Sequence, residues 1–392
     1  MVHVDPSNAN AAPDVHQVEF NTIASSFGGL ATRVSQMHKY LYRIGAYGDA
    51  PYINEFSLPD NPALTGLADG LAEGHKAYGE GVVSKEIAIL FLVQDGERNT
   101  FDQRSLEYSI LERYNIKSYR ITFSEIPLLT TLHHTTRALL YHPPQRPCTS
   151  SPIEISTVYF RAGYDPSDYL SPQSWTSRAH IERSRAIKCP TILTQLAGSK
   201  KIQQVLAAPA LPSSSATFST KSFTLPTFLP HASPETIVKL ERTFAKIYPL
   251  DTSPLGLQAR EIALDPALAM GYVLKPQREG GGNNIYKSKI PAFLSSIPED
   301  HWSGYILMEL IVTPGRVRNM VLRNGEAMEG EVVGELGVYG VCLWDAAAGK
   351  DEVGWVKVNK EAGWLLRTKG SGSEEGGVAA GFGCVDSVVL VD

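Results

Sequence analysis

The sequence predicts a mixed α/β and α+β protein: a doubly wound α/β unit over residues 82–198, followed by an α+β region built largely on antiparallel sheet. Three observations predict it. Ile87–Val93, IAILFLV, is a continuous apolar run without alternation, as in a strand buried on both faces. Helix-period and apolar segments then alternate as far as the Lys188 region, the order of a parallel sheet with crossover helices. From Gly271 onward the texture changes to short strands: YVLK, GYILMEL, GEVVGELGVYGVCLW and VGWVKV.

After the first run, DGERNTFDQRSLEYSILERYN places Phe101, Leu106, Ile110 and Leu111 near helical spacing, with charge on the other side. Apolar stretches at Tyr119–Phe123, Arg137–Tyr141 and Ile155–Phe160 supply further strands. Ser171-Pro172 is a hydroxyl N-cap followed by proline in the first turn, so a helix lies between Ser171 and Lys188. Residues 209–230 are dominated by serine, threonine and proline and read as a surface insertion. Ser233-Pro234 starts another helix, with Ile237, Leu240, Phe244 and Ile247 as one apolar stripe. Three segments result: 1–81, 82–198 and 199–392.

With 392 residues and 43% hydrophobic content, the chain can bury a large core. A net charge of −5 argues against binding nucleic acid by bulk phosphate neutralisation. No apolar run is long enough to span a membrane, and the N-terminus lacks the basic start and apolar core of a secretory signal. Cys148, Cys189, Cys342 and Cys384 are scattered without a CxxC spacing, which suits reduced thiols in a cytoplasmic protein. The ten histidines show no metal-ligand spacing.

The chemistry concentrates in Lys275–Tyr286, KPQREGGGNNIY. Three glycines alone are usually a mobile turn. Here a strand delivers Lys275 to the loop, glycine backbone amides can approach phosphate oxygens closely, and lysine supplies a point charge. Glu279 and Asn284 add hard oxygens of the kind magnesium prefers. No GK[ST] follows, so this is not a Walker loop, and it opens a strand hairpin rather than a helix, so it is not a dinucleotide fingerprint. A glycine-rich flap over ATP phosphates fits better.

That stretch closely resembles the glycine-rich loop of the eukaryotic glutathione synthetase family, which has the ATP-grasp fold. VEFNTIASSFGGL at 18–30, ERNTFDQR at 97–104, VYFRAGY at 158–164, KCPTILTQLAGSKK at 188–201, YILMEL at 305–310, GELGVYG at 334–340, LLRTK at 365–369 and GGVAAG at 376–381 resemble the same family in the same order. The resemblance implies an ATP-grasp fold with an inserted substrate-binding α/β domain at 82–198. It implies magnesium, the small-molecule substrates ATP, γ-glutamylcysteine and glycine, no nucleic-acid or membrane partner, and a homodimer.

By that resemblance, magnesium would be held by Glu19, Asn21 and Glu279. Lys200, Lys275 and Lys369 would meet ATP. The flap would run from Pro276, Gln277 and Arg278 through Gly280, Gly281, Gly282, Asn283 and Asn284 to Tyr286. Met308, Glu309, Leu310 and Ile311 would form the hinge that receives adenine, with Glu335 and Glu375 as acidic nucleotide positions. Arg161 and Arg367 suit substrate carboxylates because guanidinium binds them bidentately. Lys275 and Arg367 are the residues expected nearest the chemistry. Ile23, Ala24, Ser25 and Ser26 would line the cysteinyl end, and Glu97, Arg98, Asn99 and Gln103 the γ-glutamyl end. Ala162, Gly163 and Tyr164 follow Arg161, and Val378 and Ala379 would belong to a lid.

Members of that family carry a substantial segment ahead of the VEFNTI motif, where this chain has seventeen residues. On the resemblance the chain is truncated at its N-terminus, without helices that complete the ATP-grasp body and the dimer contact and without one dipeptide-binding arginine. Residues 1–81 are then the remnant of that part. The alternative to a working ligase is an inactive remnant that at most binds nucleotide.

Overall fold

The computed structural model describes the chain apart from residues 6–9, 148–150, 209–224, 279–281, 315–316, 324, 349–353, 375–376, 379–380, 382 and 392. The chain forms two compact units, each assembled from three stretches of sequence rather than one. One comprises residues 22–195, 335–368 and 384–392; the other comprises 1–21, 196–334 and 369–383.

The 22–195 unit is built on a six-stranded mixed sheet. Its centre is the adjacent parallel pair Ile87–Leu92 and Ile153–Phe160. Ser118–Ile121 joins the first in parallel, and Ile187–Cys189 the second. Leu139–Tyr141 and Thr130–Leu132 add an antiparallel pair, which the alternation of strands and helices in the sequence does not disclose. Successive strand residues point to opposite faces. Ile89 and Phe91 pack against Ala68, Leu71, Leu106 and Ile110 of helices Ala63–Tyr78 and Thr100–Tyr114. Leu90 and Leu92 pack on the other face with Phe160 and with Ile181 of helix Pro172–Glu182. Both faces are covered, so the apolar run is continuous for the reason its sequence suggests.

Two helix expectations in this unit need correction. Leu106 and Ile110 are buried, but Phe101 and Leu111 are exposed, so the buried stripe of Thr100–Tyr114 is narrower than the spacing suggests. Buried Gln103 and Glu107 occupy the rest of that face. Ser171 sits at its N-cap position without making a side-chain capping bond, and its helix stops at Glu182 because Ile187–Cys189 returns to the sheet.

The other unit carries a four-stranded antiparallel sheet in the order Ile285–Tyr286, Tyr272–Pro276, Tyr305–Glu309, Ile247–Pro249. One face holds Leu274, Leu307, Ala259, Ile290 and Trp302; the other holds Val273, Ile306, Met308, Ile247 and Ala207. Ser233 does cap its helix, accepting a bond from the Thr236 amide at 3.2 Å. That helix ends at Arg242, however, so Ile247 belongs to a strand and not to the helical stripe. Within the serine-rich stretch, Leu225–Phe228 is a short helix with Leu225 buried; the residues before it lie outside those described.

Arg318–Arg323 pairs antiparallel with residues 326–331, and, in the 22–195 unit, residues 366–368 pair antiparallel with Cys384–Asp386. Strands Glu326–Trp344 and Val356–Gly370 are 19 and 15 residues long, not the short strands expected. Among the described residues, no helix is long and apolar enough to cross a membrane.

Candidate functional site

In the unit containing residues 196–334, the hairpin does what the loop sequence requires. Tyr272–Pro276 pairs antiparallel with Ile285–Tyr286, Leu274 opposite Ile285, so the glycine stretch is its connection. Gly282 has φ +90°, a conformation that glycine adopts without steric cost. Lys275 is buried at 5% exposure, and its Nζ donates to the Val18 carbonyl at 3.3 Å. Lys200 is buried at 4% exposure, and its Nζ lies 2.6 Å from Glu19 Oε2. Lysines are rarely buried to this degree. These two come from segments 75 residues apart and both border the Val18–Glu19 strip. Helix Lys200–Ala207 begins at Lys200, and the Lys201 amide at its start donates to Gln277 Oε1 at 2.9 Å.

Asn21 Nδ2 lies 3.5 Å from Glu19 Oε1, so two of the expected magnesium ligands are neighbours. Carboxylate and amide oxygens are the hard donors this ion takes, and the set fits it chemically. The third, Glu279, lies with Gly280 and Gly281 outside the described residues. Among the described residues no three His, Cys, Asp or Glu side chains gather as a metal group.

Met308 is buried with Val273 and Ile247, while Leu310, Ile311 and Tyr286 pack on that cluster from its edge. The Glu309 amide donates to the Lys246 carbonyl at 3.0 Å and the Leu310 amide to the Gly271 carbonyl at 2.9 Å. Asn284 Nδ2 donates to the Tyr286 hydroxyl at 3.3 Å, and Asn283 is half-buried beside it. Pro276 ends its strand, and the Arg278 amide folds back to the Pro276 carbonyl at 2.8 Å, leaving Arg278 exposed. Lys369 belongs to this unit too, its Nζ donating to the Glu374 carbonyl at 3.1 Å. Val378 accepts from the Gly381 amide at 2.9 Å. Glu375 and Ala379 lie outside the described residues.

In the 22–195 unit, the expected dipeptide residues collect at the carboxyl ends of Ile87–Leu92 and Ile153–Phe160, which pair in parallel as far as Leu92 and Phe160. The chain leaves the first strand toward Ser118–Ile121 on one side, and the second strand lies on the other. This is the switch point where open parallel sheets bind ligands. Glu97, Arg98 and Asn99 follow the first strand, and Arg161, Ala162, Gly163 and Tyr164 follow the second. Glu97 Oε1 accepts from the Asn99 amide at 2.7 Å, and Glu97 Oε2 accepts from Gln103 Nε2 at 2.8 Å. Gly163 has φ +89°, and its amide donates to Asp168 Oδ2 at 2.7 Å. Ala162 and Ile23 are buried in the core below, with Tyr164 packed at its edge.

Arg161 is 3% exposed. Its Nη1 donates to the Ser25 carbonyl, and its Nη2 donates to Ser26 Oγ at 2.7 Å. Its Nε is buried with no hydrogen-bond partner among the described residues. Tyr159 also donates to the Ser25 carbonyl, at 3.1 Å, and Tyr339 to the Ser26 carbonyl, at 2.5 Å. The Ser25–Ser26 turn is flanked by Ala24 at φ +55° and Phe27 at φ +70°, a left-handed conformation uncommon for residues with a Cβ. Burial pushes the Tyr339 phenol well above its ordinary pKa, with Asp102 and Tyr159 adding to the rise against the opposing pull of Arg161 and Arg367. Tyr339 therefore stays a hydrogen-bond donor. Arg367 pairs with Glu335 at 2.9 Å, so the acidic position expected at the nucleotide is bound to a guanidinium expected at the dipeptide.

Sequence reasoning missed Asp102, Tyr159 and Tyr339. Asp102 is buried on helix Thr100–Tyr114 and caps a different helix, Gly28–Arg43: Oδ1 accepts from Gly29 and Leu30, and Oδ2 from Phe27. All three lie inside quoted motifs, but their partners are 70 or more residues away, which no local pattern marks.

The family model for the eukaryotic glutathione synthase ATP-binding domain matches residues 1–390. The chain is 37% identical to the glutathione synthetase large chain of Schizosaccharomyces pombe, over all of this chain and 73% of that one. It is 39% identical to the human glutathione synthetase, over 97% of this chain and 71% of that one. Among solved structures it resembles a glutathione synthetase-like effector from Globodera pallida, with a TM-score of 0.69, 17% identity, and coverage of 98% of this chain and 74% of that one. At that identity the likeness speaks to the fold.

Proposed function

The chain belongs to the eukaryotic glutathione synthase family, and on that premise we propose that it joins γ-glutamylcysteine to glycine at the expense of ATP. The observation that carries the proposal is the burial of Lys200 and Lys275 around the Val18–Glu19 strip, in the unit that also holds the glycine hairpin. A cation costs free energy to bury; Glu19 offsets part of that cost at Lys200, and a bound phosphate chain would offset more at both lysines. The arginine-held Ser25–Ser26 turn at the switch point of the other unit supports the dipeptide half of the reading.

A carboxylate resists attack by an amine. One oxygen of the cysteinyl carboxylate attacks the γ-phosphorus of ATP, the bond to the β-phosphate oxygen breaks, and ADP leaves. The glycine amine then attacks the acyl carbon, phosphate departs with the bonding pair, and the amine proton is lost. Lys200 and Lys275 offset the charge on the phosphates, and the hairpin amides add donors. Arg367, paired with Glu335, would exchange that partner for a substrate carboxylate. Glu19, Asn21 and Glu279 would hold magnesium, which supplies charge neutralisation at the phosphates when bound. A lid around Val378 would keep water from the acyl phosphate. We place the reaction in the cytoplasm, with a homodimer as the assembly.

Incubation with ATP, magnesium, γ-glutamylcysteine and glycine tests this. ADP release that depends on both amino-acid substrates is expected. ATP binding without such turnover would leave the nucleotide-binding remnant, a reading that matches to named glutathione synthetases over nearly all of this chain do not favour.

A further inference from the structure

Arg120 has no place in the motifs, yet it ends a buried chain that reaches the proposed γ-glutamyl corner. It lies on strand Ser118–Ile121, opposite Phe91 of the central strand, with its side chain 13% exposed. Its Nη1 is 2.6 Å from Glu107 Oε1 and its Nη2 donates to Gln103 Oε1 at 2.6 Å. Glu107 is itself buried and takes Arg104 Nη1 on its other oxygen at 2.7 Å. Gln103, wholly buried one helical turn earlier, passes the arrangement on by donating Nε2 to Glu97 Oε2 at 2.8 Å.

The polarity of this chain is forced. Reversing the Gln103 amide would set its NH₂ against the Arg120 donors and its carbonyl against the Glu97 carboxylate. The guanidinium fork therefore decides which end of the amide faces Glu97. Glu97 is held at both oxygens, by Gln103 and by the Asn99 amide, and each oxygen keeps a lone pair for a further donor. A fixed, half-buried carboxylate of this kind recognises a cation, and the α-ammonium is the only cation on a γ-glutamyl head.

We propose that Arg120, braced by Glu107, is a positioning residue that fixes Gln103 and Glu97 so that this corner selects substrates bearing an α-ammonium group. The inference rests on the ligase reading and adds the residue that enforces its selectivity.

The test compares γ-glutamylcysteine with glutarylcysteine, which lacks the α-amino group, in the full chain and in Arg120→Lys. Lysine keeps the charge and loses the fork. We expect the KM for γ-glutamylcysteine to rise about tenfold and the preference over glutarylcysteine to fall about tenfold, with the KM for ATP and the melting temperature unchanged. Equal movement of both KM values with a fall in melting temperature, or an unchanged preference, overturns the proposal. Should Arg120→Lys fail to fold, Glu107→Gln weakens the brace and must lower the preference in the same direction; no change there overturns it equally. A wild-type chain that turns over neither dipeptide fails the ligase reading itself, a result distinct from any behaviour of the variants, and this proposal falls with it.

Discussion

Lys200 Nζ and Glu19 Oε2 stand 2.6 Å apart, with the lysine side chain 5% exposed and the glutamate 27%. The pair ties the start of helix Lys200–Ala207 to the strip that carries the expected metal ligands. Lys200→Gln keeps much of the volume and removes the charge. We expect kcat/KM for ATP to fall by about two orders of magnitude, roughly 2.7 kcal/mol of lost stabilisation, with the KM for glycine little changed. Steady-state kinetics with each substrate varied in turn decides it, and a variant as active as the parent removes Lys200 from the phosphate site.

Asp102 satisfies three amides at the start of helix Gly28–Arg43, among them Phe27 beside the Ser25–Ser26 turn. Asp102→Ala strands those donors in a buried place. A loss of about 2 kcal/mol in urea unfolding is expected, together with weaker γ-glutamylcysteine binding. Loss of stability with substrate binding intact would show that the cap does not set the turn.

Gly163 occupies φ +89°, and a Cβ there would come within 3.0 Å of both Phe123 Cζ and Tyr169 Oη. Gly163→Ala is strained twice, by backbone and by contact. A cost of about 1–3 kcal/mol is expected, with a raised KM for the dipeptide and an unchanged KM for ATP. An alanine variant with parental stability would mean that the loop relaxes freely.

Glu154 is fully buried and accepts from the Tyr78 hydroxyl at 2.5 Å and from the amides of Val82, Val83 and Ser84 at 2.7–3.0 Å. Burial raises its pKa, but these four donors lower it by more, so the net shift is downward. A carboxylate whose pKa is lowered by folding stabilises the protein above its unfolded pKa and loses that contribution as pH falls through the folded value. Glu86, held down to about 2 by Arg146 and Lys117, acts in the same direction. With its side chain 32% exposed, its share is about 1 kcal/mol at most. Stability should therefore decline below about pH 4.5. Glu154→Gln should cost about 2–4 kcal/mol at pH 7, because its NH₂ would face amide donors, and should flatten the acid slope. Chemical denaturation at pH 7 and pH 4 measures both, and equal slopes in parent and variant would exclude Glu154 as a source.

Much of this was determined by the sequence alone. IAILFLV suits a strand covered on both faces, since no amphipathic pattern leaves it a wet side, and it forms one. KPQREGGGNNIY, after the YVLK strand, reads better as a strand connection than as a helix start, and it connects the two strands of a hairpin. Local chemistry suffices there, because each signal and the structure it specifies lie within a dozen residues. Tertiary structure alone decided the rest. The antiparallel pair Thr130–Leu132 and Leu139–Tyr141 takes its direction from the strand it joins, and its own residues do not encode that choice. The burial of Lys200 and Lys275, the reach of Asp102 to another helix, and the Arg120–Gln103–Glu97 chain are likewise products of packing. Each depends on groups from different elements or turns of the chain being brought to hydrogen-bond distance in a place that water has left. A polar residue in the sequence looks the same whether its partner will be water or a buried side chain, and only the fold supplies the difference.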